Sequence, residues 1–192
     1  MENNILKRLS EIPLAFGVYK ATVINACDIP LDRSFRAMCE ANSCGLYGKC
    51  HMCPPDVGDI DDLMAEVRNY DYALVYQTVS ELEDSYDFEG MVRAKKQFYP
   101  IAQKLRAVFN DMNITHALHL SAGGCGVCET CTKRTNQPCR FPSLAIAPLE
   151  AYGVNVSLLA KVSEMKYING QDTVTYFGAV LFSLDKNEGV NL

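Results

Sequence analysis

The nine cysteines of this chain fall as one, four and four, and no other feature restricts its fold so strongly. Cys27 stands alone; Cys39, Cys44, Cys50 and Cys53 lie within 15 residues, and Cys125, Cys128, Cys131 and Cys139 within another 15. Thiols grouped this tightly are either a disulfide framework or metal ligands, and the compartment decides between them. The opening MENNILKRLSEIPLAFGVYK has no basic n-region, apolar h-region or small-residue cleavage site. No segment approaches the roughly 20 apolar residues of a membrane helix. The expectation is a cytoplasmic protein, without a membrane partner, whose thiols stay reduced and bind metal. A net charge of -5 gives no electrostatic footprint for nucleic acid, so none is expected.

The second group, in GGCGVCETCTKRTNQPCRFP, reads Cys125-x2-Cys128-x2-Cys131 and then, seven residues on, Cys139. Three thiolates at intervals of three residues wrap a short loop around one centre, and a more distant fourth closes the coordination; this is how a cubane iron–sulfur cluster is held. Zinc also takes four thiolates but usually draws them as two separated pairs, so the evenly spaced third cysteine favours iron and sulfide, with zinc as the alternative. Gly123, Gly124 and Gly126 let the backbone turn tightly, and Pro138 and Pro142 bracket the fourth cysteine.

The first group has spacings Cys39-x4-Cys44-x5-Cys50-x2-Cys53, followed by Pro54 and Pro55. Cys50 and Cys53 form a chelating pair that Cys39 and Cys44 can complete. In ferredoxins the cysteine before a proline ligates the other cluster of a pair, so an exchange of partners between Cys53 and Cys139 is left open by the spacing. Cys27 is expected in the core and is left out of the ligand set; it is the one candidate for a ninth, reactive thiol. Among the histidines, His51 is the best placed to be a ligand or proton carrier, whereas His116 and His119 are read as ordinary residues on opposite faces of a strand. Lys133, Arg134 and Arg140 are read as a solvated loop, or as an offset to thiolate charge. Asp56, Asp59, Asp61 and Asp62 are explained by capping of the helix they precede rather than by a hard cation. There is no phosphate-binding glycine loop and no nucleophile elbow.

Around these segments, patterning predicts strands at 17–26, 72–79, 115–121 and 173–184. Helices are predicted at 59–70, at 89–112 with Pro100 expected to bend it, and at 143–162 with an interruption near Gly153. The fold class is α/β: a central mixed sheet of about four strands with packed helices and two cysteine-rich metal-binding loops, 39–55 and 123–142. At 192 residues one domain, 1–192, is expected to bury about 70% of its unfolded surface, so metal is not required merely for folding.

Two sets of residues carry a resemblance. They are Cys44-Gly-x-Tyr-Gly-x4-Cys53-Pro-Pro, and Cys125-x2-Cys128-x2-Cys131-x6-Pro138-Cys139-Arg140-x-Pro142 followed by Glu150-Ala151-x-Gly153-Val154-x-Val156. The chain resembles a family of small predicted metal-binding proteins, a domain of unknown function found largely in anaerobic bacteria and archaea. The resemblance spans most of the chain and implies metal binding without naming a reaction. It also implies that Glu150 to Gly153 end a helix packed beside the metal loop, with Glu150 a packing residue or a hydrogen-bonding neighbour of the ligands. The function expected is that of an iron–sulfur protein carrying one or two 4Fe-4S clusters and acting in electron transfer or as a redox accessory with a redox partner protein. The alternatives are an enzyme using an open cluster iron on a small substrate, and a zinc-stabilised interaction module.

Overall fold

In the computed structural model, which describes residues 2–114 and 116–184, the elements run in the order α1 (Glu2–Glu11), β1 (Lys20–Asn25), α2 (Phe35–Glu40), α3 (Ile60–Val67), β2 (Tyr72–Glu81), α4 (Phe88–Asp111), β3 (Ala117–Ser121), β4 (Ala147–Pro148), α5 (Val156–Val162) and β5 (Thr173–Phe182). The five strands form one sheet in the order β1-β2-β5-β3-β4. β2 pairs antiparallel with β1 and, from Tyr72 opposite Phe182 to Glu81 opposite Thr173, with β5. β3 is antiparallel to β5 and parallel to β4. The sheet is therefore mixed, as expected, but has five strands rather than four.

Both faces of the central strands are covered, which is why they read as continuous apolar runs. Leu74, Tyr76, Val180 and Phe182 point to the face packed by Ile5 and Leu9 of α1 and Phe98, Leu105 and Phe109 of α4. Ala73, Val75, Ala179 and Leu181 alternate to the other face, under Leu63 and Val67 of α3 and Leu159 of α5. Gly178 lies opposite Tyr76 in the β2–β5 pair and leaves room for its ring, because a Cβ there would lie 2.3 Å from it. α4 carries the chain from β2 over to β3, with β5 between them, and keeps Pro100 inside one helix. Asp87 starts it by accepting from the Gly90 N–H at 2.7 Å.

The helix expected over 143–162 is a correction. Ala147–Pro148 is a short edge strand, where a residue without an N–H is tolerated. A 3-10 turn, Leu149–Tyr152, then closes on Gly153 at φ 73, and only from Asn155, whose side chain caps Leu158 N–H, does α5 begin. The first strand starts three residues late because Ile12–Phe16 is a 3-10 turn closed by Gly17 at φ 85. Thr115, the expected first residue of the third strand, lies outside the described residues, as do residues 185–192 of the expected single domain. Among the described residues no helix is long and apolar enough to cross a membrane.

Candidate metal centre

The second cysteine loop leaves β3 at Ser121 and returns to the sheet at Ala147, so its two ends are neighbouring parallel strands. Its glycines are needed for contact: a Cβ on Gly126 would fall 2.0 Å from the Tyr99 ring of α4. The Tyr99 hydroxyl donates to the Gly124 carbonyl at 2.7 Å. Beyond Cys131, a 3-10 turn over Thr132–Thr135 ends on Asn136 in the left-handed region, and Thr132 Oγ1 donates to the Pro138 carbonyl at 2.8 Å. This reverses the chain and brings Cys139 back to Cys125, Cys128 and Cys131, and all four line one cavity.

The first group begins on a helix and ends on a turn. Cys39 lies in α2. The loop after it is shaped by Asn42, whose side chain accepts from Tyr47 N–H at 3.0 Å, and by the Gly48 N–H bond to the Pro54 carbonyl at 2.9 Å. The Cys53 N–H bonds to the Cys50 carbonyl at 3.0 Å, which folds the Cys-x2-Cys pair onto itself. Cys50 and Cys53 are buried, Cys39 is half-buried and Cys44 is exposed. Asp59, the aspartate the sequence marks as a cap, accepts from Asp61 N–H at the start of α3.

Cys50 joins the two groups. Its sulfur lies beside the thiols of Cys53 and Cys131 and the backbone of Met52 and Cys125. It also lines the cavity of the second group. Cys53 lies near Cys44 and Cys39, and its sulfur also reaches the second loop, 3.8 Å from the Cβ position of Gly124, while Cys139 stays near Cys125, so Cys50 and Cys53 both meet the second segment. Three further contacts clamp the loops. His51 Nε2 bonds the Gln137 carbonyl at 2.9 Å, Lys133 pairs with Asp56, and Leu46 covers Gly124. A ring nitrogen against a carbonyl must donate, so His51 acts here as a tie between loops. Arg140 donates to the Thr130 carbonyl at 3.0 Å, within its own loop, and Arg134 is exposed.

The electrostatics of the site divide the thiols. The neighbouring Cys53 thiol and backbone N–H groups hold Cys50 below an ordinary thiol, against the opposing effect of burial. Cys53 is pushed up by its bond to Cys50 and by burial, and burial also raises Cys39 and Cys125. Burial raises the Glu150 carboxyl, which sits in the 3-10 turn near both Cys39 and Lys95. That turn is where a helix ending was expected. The sequence reading missed the wall that α4 builds here. Lys95 lies 5.5 Å from the centre of the Tyr99 ring and close to Gly123, and Tyr99 is raised by burial and by the nearby Cys125, Cys50 and Cys53. The i,i+4 spacing of Lys95 and Tyr99 was the available signal.

Cys27 corrects another expectation. It follows β1 in a 3-10 turn and is exposed rather than in the core, and it does not line the sulfur-lined cavity. His116 stacks on Tyr70 with ring centres 5.0 Å apart, while His119 is buried on the opposite face against Phe109. Among the described residues no three His, Cys, Asp or Glu side chains already converge as a single-ion site. The fit to a metal rests on the donor set: soft cysteine sulfurs, two of the cysteines buried and five of them lining one cavity, the ligand type that iron and zinc take.

No curated protein and no solved structure matches the chain. A family model does, over residues 22–182, a span that holds every strand but the first two residues of β1 and both cysteine loops. The chain belongs to that family, described as predicted metal-binding protein (DUF2284), whose function is unknown.

Proposed function

We propose that the protein holds two adjoining 4Fe-4S clusters and passes electrons between them and a redox partner protein. The observation that carries the proposal is the position of Cys50, which comes from the first cysteine segment yet lines one cavity with Cys125, Cys128, Cys131 and Cys139 of the second. Segments some 70 residues apart in the chain thus make one continuous sulfur-rich region. Clusters held by these adjoining loops would be suited to electron exchange. Iron is favoured over zinc by the run Cys125-x2-Cys128-x2-Cys131 with a distant fourth thiolate. Backbone N–H groups on cluster sulfurs and a nearby cation such as Lys95 are the means by which proteins set cluster potentials. When bound, such clusters supply one-electron transfer; the chain's own residues hold them, shield them and fix their separation.

A second reading follows from the same cysteine. If Cys50 serves the second centre, the first keeps Cys39, Cys44 and Cys53, and a cluster there would have an iron without a thiolate ligand, as an enzyme acting on a small substrate would need. Anaerobic metal analysis tests the main proposal, with about eight iron and eight acid-labile sulfide per chain expected for two cubanes. Two zinc and no iron would overturn it in favour of a zinc-stabilised interaction module. Cytoplasmic residence and the redox partner belong to the same proposal.

A further inference from the structure

A second cavity, of about 420 Å³, lies between α4 and the second cysteine loop and is not needed to hold metal. Tyr99, Pro100, Ala102, Val127, Leu144 and Ile146 give it apolar walls. The volume is within the range of small-molecule sites, which combine an apolar lining with a few placed polar groups. Here the placed group is Ser121, at the end of β3. It lines the cavity and is 3% exposed, and its Oγ has no hydrogen-bond partner among the described residues. A buried hydroxyl left unpaired is unfavourable, and because this Oγ exposes no surface of its own, it would meet an occupant of the cavity by turning about the Cα–Cβ bond and so relieve a cost already present. No acidic side chain lines the cavity, and its one charged lining residue, Lys104, is exposed. Cys125 lines both this cavity and the sulfur-lined one, so an occupant would lie against a candidate ligand.

We propose that this cavity is a binding site for a small, uncharged, largely apolar organic molecule bearing a carbonyl group that accepts a hydrogen bond from Ser121. The site does not depend on which metal the cysteines hold. It is tested on metal-loaded, anaerobically prepared protein with two probes of the same shape, 2-acetylnaphthalene and 2-ethylnaphthalene, of which only the first has a carbonyl. Binding is followed by saturation-transfer NMR and by fluorescence titration. Both probes are expected to bind saturably at one site. Ser121→Ala is expected to weaken the ketone by roughly three- to tenfold, the worth of one hydrogen bond, and to leave the hydrocarbon unchanged. Leu144→Trp, at a half-exposed wall position that folding tolerates, is expected to weaken both probes by about tenfold or more. Absence of saturable binding overturns the proposal, as does a ketone affinity unchanged by Ser121→Ala or probe affinities unchanged by Leu144→Trp. Iron and sulfide content of the same samples reports separately on the cluster reading.

Discussion

His119 gives a quantitative prediction that does not depend on the identity of the metal. It is 8% exposed, on the α4 side of β3, with its ring 5.8 Å from Phe109 in an edge contact and its Nδ1 without a partner among the described residues. Burial, with a smaller contribution from the Arg106 guanidinium, lowers it from 6.5 to about 4. A base held below its unfolded value stays neutral in the fold while the unfolded chain takes up a proton. Its contribution is therefore fully present above pH 6.5 and is lost as the pH falls toward 4. The displacement corresponds to about 3 kcal/mol in all, of which about 2 kcal/mol is gone at pH 5. His119→Gln keeps a polar side chain of similar size that does not titrate. In urea unfolding of identically prepared samples, the loss of stability between pH 7.5 and pH 5 is expected to be about 2 kcal/mol smaller in the variant. Groups common to both proteins cancel in that difference. An equal loss in the two proteins, or an NMR titration of His119 with its midpoint at or above 6.5, would refute the reasoning.

Three further outcomes follow from the site. Gly126→Ala places a methyl group inside the Tyr99 ring, so it should cost roughly 1–3 kcal/mol and lower metal content; a thermal midpoint and metal load equal to wild type would contradict this. Cys50→Ser should disturb the metal content or spectrum of both centres, whereas Cys27→Ser should leave both as they are, since Cys27 is exposed outside the sulfur region; metal analysis and visible absorption distinguish them. Lys133→Ala should lose up to about 1 kcal/mol by removing the half-buried pair with Asp56, and its thermal midpoint should respond less to added salt than that of wild type.

The apolar runs of β2 and β5, and the periodic faces of α3 and α4, were legible because each strand or helix announces its burial through spacing alone. Residues 143–162 were not, because Ile146 and Ala147 look helical until the neighbouring β3 offers a parallel edge to pair with. The helix over Glu2–Glu11 was passed over although Ile5 and Leu9 have helical spacing, and α2 is too short to give a period. Of the site, the two groups of four cysteines were plain from the spacing. The role of Cys50 was not, since it is set by how two distant loops dock, through His51, Asp56 and Lys133. Cys27 was expected in the core because a free cysteine is usually buried; its exposure follows from the 3-10 turn that carries it away from the sheet.

Electron paramagnetic resonance of anaerobically purified and fully reduced protein tests most directly the claim that the two cysteine segments hold neighbouring iron–sulfur clusters. The account predicts two spins per chain with broadened, mutually coupled signals, and a change in both when Cys50 is replaced. A colourless protein that contains zinc and gives no signal on reduction, or two clusters whose signals are sharp and independent, would contradict it.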